Sequence, residues 1–343
     1  MCHRFIMVVT LVGGMMNQNL KDRCELFISN RDLIKKYFRW ENDTMHVLCG
    51  ILLAGESRHA DIEKMMTCEK ILKDRTGVFS EFRGNLKMPI ITKMSMAENA
   101  EIYFSQVEKI YNILNANKWF GSEYKILAAM TICDHARELE YEVIVKRTQA
   151  IYQCMKKEHP FLTSDEDTSY AAMLALSDAD IGSLIQEMEK CYTFLKKDFI
   201  SSNAVQSLSH ILALNGLPTE EKCQKVKEIF QALKNKKRKY GTGYELASLG
   251  AVSLLDLSVE DIVNEIIGVD DFLRVQKGFG TLGIGGAQRL MYAALLVADT
   301  YMPESKTMQN SVMGSALSTI IAQQVAMTAI IVTMVVNSTN SDT

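Results

Sequence analysis

Apolar residues recur along most of this chain with the spacing of helices. In "AENAEIYFSQVEKIYNIL", Val107, Ile110, Tyr111 and Leu114 fall at i, i+3, i+4 and i+7, one stripe of an amphipathic helix. Similar endings return at "CEKILKD", "TQAIYQCM", "MEKCYTFL", "VKEIFQAL" and "GVDDFLRV". The shared apolar position is Leu72, Tyr111, Tyr152, Tyr192, Phe230 and Phe272, at intervals of 39, 41, 40, 38 and 42 residues. Each amphipathic helix is followed by a more apolar one: "SEYKILAAMTI", "SYAAMLALS", "QSLSHILALN", "LASLGAVSLLDL" and "RLMYAALLVA". A helix apolar on most sides belongs inside, and its amphipathic partner belongs outside. One such pair cannot cover its own apolar face, but stacked pairs can. β-Branched runs such as Ile266–Ile267 sit inside helical patterns. The chain therefore reads as all-α: stacked helix pairs with a repeat near 40 residues, as a solenoid-like α/α array or a closed ring.

The loops entering the apolar helices also share a pattern of an aromatic, one residue, then Ser or Thr. Examples are Phe120 with Ser122, Phe161 with Thr163, Phe199 with Ser201, Tyr240 with Thr242 and Phe279 with Thr281; the first loop has Phe79 with Ser80. The hydroxyl is expected to cap the helix and the aromatic to pack back on it. Thr163 with Glu166 and Thr242 with Glu245 have capping-box spacing. Gly278, Gly280 and Gly283 spell G-x-G-x-x-G in one of these loops. A dinucleotide site needs a strand before that motif, and here the preceding segment is helical. Nucleotide binding is not expected; an exposed helix N-terminus leaves anion binding open.

Composition narrows the classes. The chain has 343 residues, 48% of them hydrophobic, and only 4 prolines, so a large helical core is affordable and disorder is not indicated. A net charge of -3 gives no global field for nucleic acid. The eight cysteines are scattered with no C-x-x-C, which reads as reduced thiols of a cytoplasmic protein. The domain limits that follow are 1–18 as an N-terminal extension, 19–305 as the helical array, 306–337 as an apolar C-terminal helix and 338–343 as a tail. The opening residues contain a short apolar run but no A-x-A-type cleavage site. Residues 311–336 carry no charge and are long enough to cross a bilayer, although Gln323 and Gln324 near the middle would face lipid at a cost. They read as a cap on the array, a self-association surface, or a membrane contact.

Few residues stand out chemically. "HPFLTSDED" gathers His159, Asp165, Glu166 and Asp167, which suit acid–base work or a cation but also suit a helix start. His210 replaces an alanine of the neighbouring units on an inner helix, facing either a cavity or a core partner. Arg83 in "FRGN" is a candidate anion grip or a structural contact. Ser169, Ser207 and Ser248 recur in register, as small residues do where helices pack closely. The "KNKKRKY" run, Lys234 to Lys239, reads as a solvated helix end. The candidate ligand-binding residues are thus Arg83, His159, Asp165, Asp167 and His210; no metal and no cofactor is expected.

The stretches "FRGN", "KKEHPFLTSDEDTSYAAMLALSD", "SSNAVQSLSHILALNG" and "QKGFGTLGIGGAQRLMYAALLVAD" resemble a bacterial family defined only as domain of unknown function 4003. The resemblance runs from about Lys21 to the C-terminal apolar segment. It implies a bacterial cytosolic protein and brings no activity, cofactor or catalytic residue. The leading expectation is a non-enzymatic binding or scaffold protein with a protein partner or self-association. The alternatives are an enzyme or small-ligand sensor with a polar pocket, and a membrane-associated adaptor.

Overall fold

The computed structural model describes residues 16–116, 122–280 and 283–301. Fourteen α-helices and two 3-10 turns make up the regular structure of those residues, with no strand among them. In chain order the helices are α1 (Gln18–Tyr37), α2 (Asp43–Gly55), α3 (Ile62–Arg75), α4 (Lys87–Met96), α5 (Ala100–Asn115), α6 (Glu123–His135) and α7 (Tyr141–Glu158). They continue as α8 (Asp167–Ala175), α9 (Ile181–Leu195), α10 (Ser202–Leu212), α11 (Thr219–Asn235), α12 (Leu246–Ser253), α13 (Val259–Arg274) and α14 (Gly286–Tyr301).

The even-numbered helices are the inner ones. Every residue of α12 is buried, as is Thr44 to Ala54 of α2, so these short helices are enclosed on all sides. The odd-numbered helices bury one stripe each; in α5 it is Phe104, Val107, Ile110, Tyr111 and Leu114. Inner helices pack in the series α2, α4, then α6, α8, α10, α12, α14, and α14 returns to α2. Outer neighbours follow the same order, and α13 meets α1. Among the described residues the array is therefore a closed ring of seven pairs, in which α1 packs against α14 as well as α2.

Closure is specified by side chains. Phe27 of α1 meets Phe279 edge-on with ring centroids 6.1 Å apart, and Arg31 stacks over the same ring. Arg31 also donates to the Lys277 carbonyl at 2.9 Å. Arg23 joins Asp299 of α14 at 2.5 Å. These contacts link residues about 250 positions apart, which no local pattern encodes.

The loop rule holds in part. Ser122 and Ser201 cap α6 and α10, and Phe199, Tyr240 and Phe279 are buried, Phe199 against Phe230 of α11 and Phe279 against Phe27 of α1. Thr163 and Thr242 cap nothing: α8 and α12 start later, at Asp167 and Leu246, without a side-chain cap. Thr163 instead donates to the Met155 carbonyl and accepts from Gln206, joining α7 to α10. Phe79 and Phe161 are fully exposed, and Phe82 takes the core position that Phe79 was expected to fill, against Phe104 and Tyr111. Thr281 lies outside the described residues.

The glycines of the G-x-G-x-x-G loop serve the backbone. Gly278 has φ +91°, and a Cβ on Gly283 would lie 2.3 Å from the Gly278 carbonyl oxygen, where Ile284 N–H donates at 2.9 Å. The segment before the loop is α13, not a strand. In the basic run, Arg238 turns inward to Asp270 (2.8 Å) and Asp271 (2.7 Å), and Arg289 reaches Asp270 from the other side at 2.5 Å.

Candidate functional site

The seven inner helices pack in one continuous series from α6 round to α4, but α4 and α6 make little direct contact and are both held by α5. At that opening a cleft of about 280 Å³ is lined by the C-terminal ends of α2, α4 and α6 and by Asp299 of α14. Its walls combine Ile51, Leu52, Pro89, Met96, Leu127 and Met130 with Glu56, Arg58, Lys93, Tyr103, Asp134, His135 and Asp299. An apolar enclosure with a few convergent polar groups is the usual form of a small-molecule site.

The C-termini of α2, α4 and α6 bring their last carbonyls, the negative ends of the helix dipoles, to one place. The sequence answers with cations. Arg23 donates to the carbonyls of Ala54 (2.7 Å) and Gly55 (2.9 Å) as well as to Asp299. Lys64 donates to the Ala97 carbonyl and Arg58 to that of Met96, each at 2.9 Å. Arg58 is aimed there by the turn that ends α2. Ser57 takes φ +53°, its N–H bonds to Ala54 and that of Arg58 to Leu53, both at 2.9 Å, the pattern of a left-handed helix stop.

Deeper in the cleft, Lys93 and Asp134 pair at 2.9 Å, each side chain 17% exposed, and Tyr103 donates to the same carboxylate at 2.9 Å. Burial alone would lower the Lys93 pKa, but the Asp134 charge outweighs it and holds the ammonium above its usual range. Burial, then Asp134, pushes the Tyr103 phenol well up. His135 is lowered, chiefly by burial, and so is neutral near pH 7. Burial raises Asp299 to about 6 against the opposing pull of Arg23. Glu56 is exposed at the rim and forms no close ion pair among the described residues, though its charge adds to that of Asp134 in raising Lys93.

The residues expected from sequence do not line this cleft, nor do they converge elsewhere. Arg83 closes the end of α3: it donates to Thr76 Oγ1 at 3.0 Å, to the Thr76 carbonyl at 2.5 Å and to the Lys73 carbonyl. His159 ends α7 and faces Glu189 of α9 at 2.9 Å, stacked beside Tyr192. Asp165 stands in the turn before α8. Only Asp167 and His210 come together, with Oδ1 and Nδ1 3.7 Å apart and both side chains almost fully buried. Burial raises Asp167 to about 7 and lowers His210 to about 3, so burial drives both partners away from their charged forms. That pair fills the core between α8 and α10 beside Tyr170, whose ring lies 5.2 Å from His210. No cluster of three or more potential metal ligands exists among the described residues.

The profile of the family described as "Protein of unknown function (DUF4003)" matches residues 30–326. The chain belongs to that family. A protein from Bacillus subtilis (strain 168), the "Uncharacterized protein YeaA", is 22% identical over 335 residues, covering 96% of this chain and 99% of its own. No solved structure matches. Membership in DUF4003 thus confirms the resemblance over residues 30–326, without an activity attached.

A signal for the cleft was present in the sequence. Lys93, Asp134 and Asp299 each stand at the end of an otherwise apolar inner helix, where a charge needs a partner. What sequence could not supply was that α14 lies beside α2, which only ring closure reveals.

The apolar stretch 311–336, with its membrane, capping and self-association readings, lies outside the described residues. Among those described, no helix is long and apolar enough to cross a membrane.

Proposed function

We propose that this DUF4003 protein is a small-molecule binding protein whose cleft takes a compact, largely apolar molecule bearing an ammonium group. The observation that carries the reading is Glu56 at the rim of a cleft where the ends of α2, α4 and α6 converge. The other charges near the cleft pair with one another or with carbonyls: Arg23 with Asp299 and two carbonyls, Lys93 with Asp134, Arg58 with the Met96 carbonyl. Glu56 forms no ion pair among the described residues, its charge reaching Lys93 only at longer range, and the helix dipoles favour a cation there. The apolar walls would hold the body of the ligand and the rim carboxylate its head. Closure of the ring also favours a pocket over a scaffold groove, since it removes the open concave face of a solenoid. Lys93, held protonated by Asp134, does not suit a nucleophile, which favours binding over covalent catalysis.

A cytoplasmic setting suits this reading. The seven described cysteines are unpaired, and burial raises the thiols of Cys24 and Cys49 to about 12, where they are inert.

The test is calorimetric titration with cyclohexylamine, cyclohexanol and cyclohexanecarboxylate. The amine is expected to bind best, and Glu56→Gln to weaken it about tenfold, the scale of one partly exposed charge-assisted contact. Equal binding of the carboxylate, or an unchanged amine affinity in the variant, would refute the assignment.

A further inference from the structure

The two ends of the ring differ. Each odd-numbered helix runs into the following even-numbered one at the end away from the cleft. Contacts between neighbouring entry loops hold that end together: Asn85 N–H donates to Glu123 at 2.8 Å, Gln206 donates to Thr163 at 3.0 Å, and Arg31 holds the Lys277 carbonyl. The outer helices therefore point their C-termini at this end. Their last turns are basic, as Lys35 and Lys36 in α1 and Lys156 and Lys157 in α7. Their first turns, at the cleft end, are acidic, as Glu142 in α7 and Glu220 and Glu221 in α11.

Every exposed Phe, Tyr or Trp among the described residues also stands at the basic end: Tyr37 and Trp40 before α2, Phe79 before α4 and Phe161 before α8. Phe79 and Phe161 lie wholly in solvent, Trp40 is 87% exposed, and Ile200, before α10, is 95% exposed. The Arg39 guanidinium lies over the Trp40 ring, 4.8 Å from its centroid, and the Lys36 ammonium lies 5.3 Å from that of Tyr37. Several carboxylates here are held by neighbours: Asp43 by Lys35 at 2.6 Å, Asp198 by Lys227 at 2.9 Å, and Glu41 by Lys87. Lys36, Arg39, Lys157, Lys197, Lys237 and Lys277 are exposed and form no ion pair among the described residues. They outnumber the exposed carboxylates left unpaired beside them, Asp74, Glu81 and Glu158. Helix dipoles account for the lysines. They do not account for aromatic side chains at the tips of successive loops, where exposure to water is unfavourable. At the cleft end the exposed apolar residues are aliphatic, such as Leu139 and Val143, and stand among acidic first turns.

We propose that the basic end of the ring is a docking face for an anionic lipid surface, with Trp40, Phe79 and Phe161 entering the headgroup layer and the unpaired cations meeting the lipid phosphates. Aromatic rings favour that layer, and each Lys or Arg near an anionic leaflet adds attraction. The apolar tips stand on separate loops. A fluid bilayer takes them at any spacing, whereas a folded partner needs a matching pocket for each. Docked this way, the cleft faces away from the lipid and stays open to water. The assignment does not depend on the ligand of the cleft.

Co-sedimentation of the full chain with vesicles tests it, using phosphatidylcholine alone and phosphatidylcholine mixed with phosphatidylglycerol. Binding is expected only to the mixed vesicles and is expected to weaken with added salt. Phe79→Ser combined with Phe161→Ser should weaken it at least about tenfold, the scale of withdrawing apolar side chains from the interface. Lys36→Gln combined with Lys157→Gln should weaken it about tenfold. Leu139→Ser, equally exposed but at the acidic end, should leave it unchanged. All these positions are exposed, so unchanged urea unfolding is expected to accompany each loss. The chain has two tryptophans, and Trp119→Phe leaves Trp40 alone; brominated lipid in the mixed vesicles should then quench its fluorescence. Binding that survives the Phe79 and Phe161 substitutions, or that leaves Trp40 unquenched, would place the contact elsewhere in the chain and overturn the proposal. So would equal binding to both vesicles, or retention of a single-stranded oligonucleotide without any binding to lipid.

Discussion

Replacing Asp167 by Asn is expected to stabilise the protein, and increasingly so as pH rises. The carboxyl is buried between α8 and α10, where Oδ2 accepts the Ser164 N–H at 2.8 Å and Oδ1 sits 3.7 Å from His210 Nδ1. Burial is the main cause of its rise from 3.8 to about 7, opposed by the Ser164 bond. A carboxyl raised in the folded state is tolerated as the acid and penalised as the anion. The stability it permits is therefore full below the unfolded pKa and is lost as pH climbs through about 7. A shift of about three units corresponds to a penalty of about 4 kcal/mol once ionisation is complete. Roughly half of that has already accrued by about pH 5.5, so about 2 kcal/mol separates about pH 5.5 from about pH 8.5. Asn keeps an acceptor for Ser164 and cannot ionise. Urea unfolding of both proteins at the two pH values measures the difference. The gain from Asp167→Asn should be larger at the higher pH by about 2 kcal/mol. An equal gain at both values, or a loss that grows with pH, would refute burial as the dominant influence on Asp167.

Other substitutions probe the frame. Asp270→Ala strands Arg238 and Arg289 against a buried site, and urea unfolding should register a loss of about 3–5 kcal/mol. Gly278→Ala forces a Cβ into the left-handed region at φ +91°, with an expected cost of about 1–3 kcal/mol and no change in amine binding. Arg83→Ala releases two carbonyls at the end of α3 and should cost about 1–3 kcal/mol without affecting the cleft; a lost ligand would show that Arg83 acts beyond its cap.

The layering was legible because it is local. An all-round apolar helix such as "LASLGAVS" has to be inside, and the single stripe of α5 has to face it. The caps at Ser122 and Ser201 were equally local. Thr163 and Thr242 misled because the intended helix starts three or four residues further on, and a hydroxyl at capping-box spacing does not reveal when a turn precedes the helix. The site was hidden for a different reason. Arg23 and Asp299 belong to one contact only because α1 and α14 complete the ring, and the same closure brings Lys277 to Arg31. The dense polar run around His159 is the more conspicuous feature of the sequence, but His159 itself pairs with Glu189 at the end of α7.

The central claim, an ammonium ligand in the cleft between α4 and α6, is tested most directly by native mass spectrometry of the gently purified full chain. The account predicts a single small amine adduct at one per chain that is diminished in Glu56→Gln and unaffected by Lys277→Gln. A bare chain that also fails to take up added cyclohexylamine, or an adduct that proves to be an acid, would contradict it.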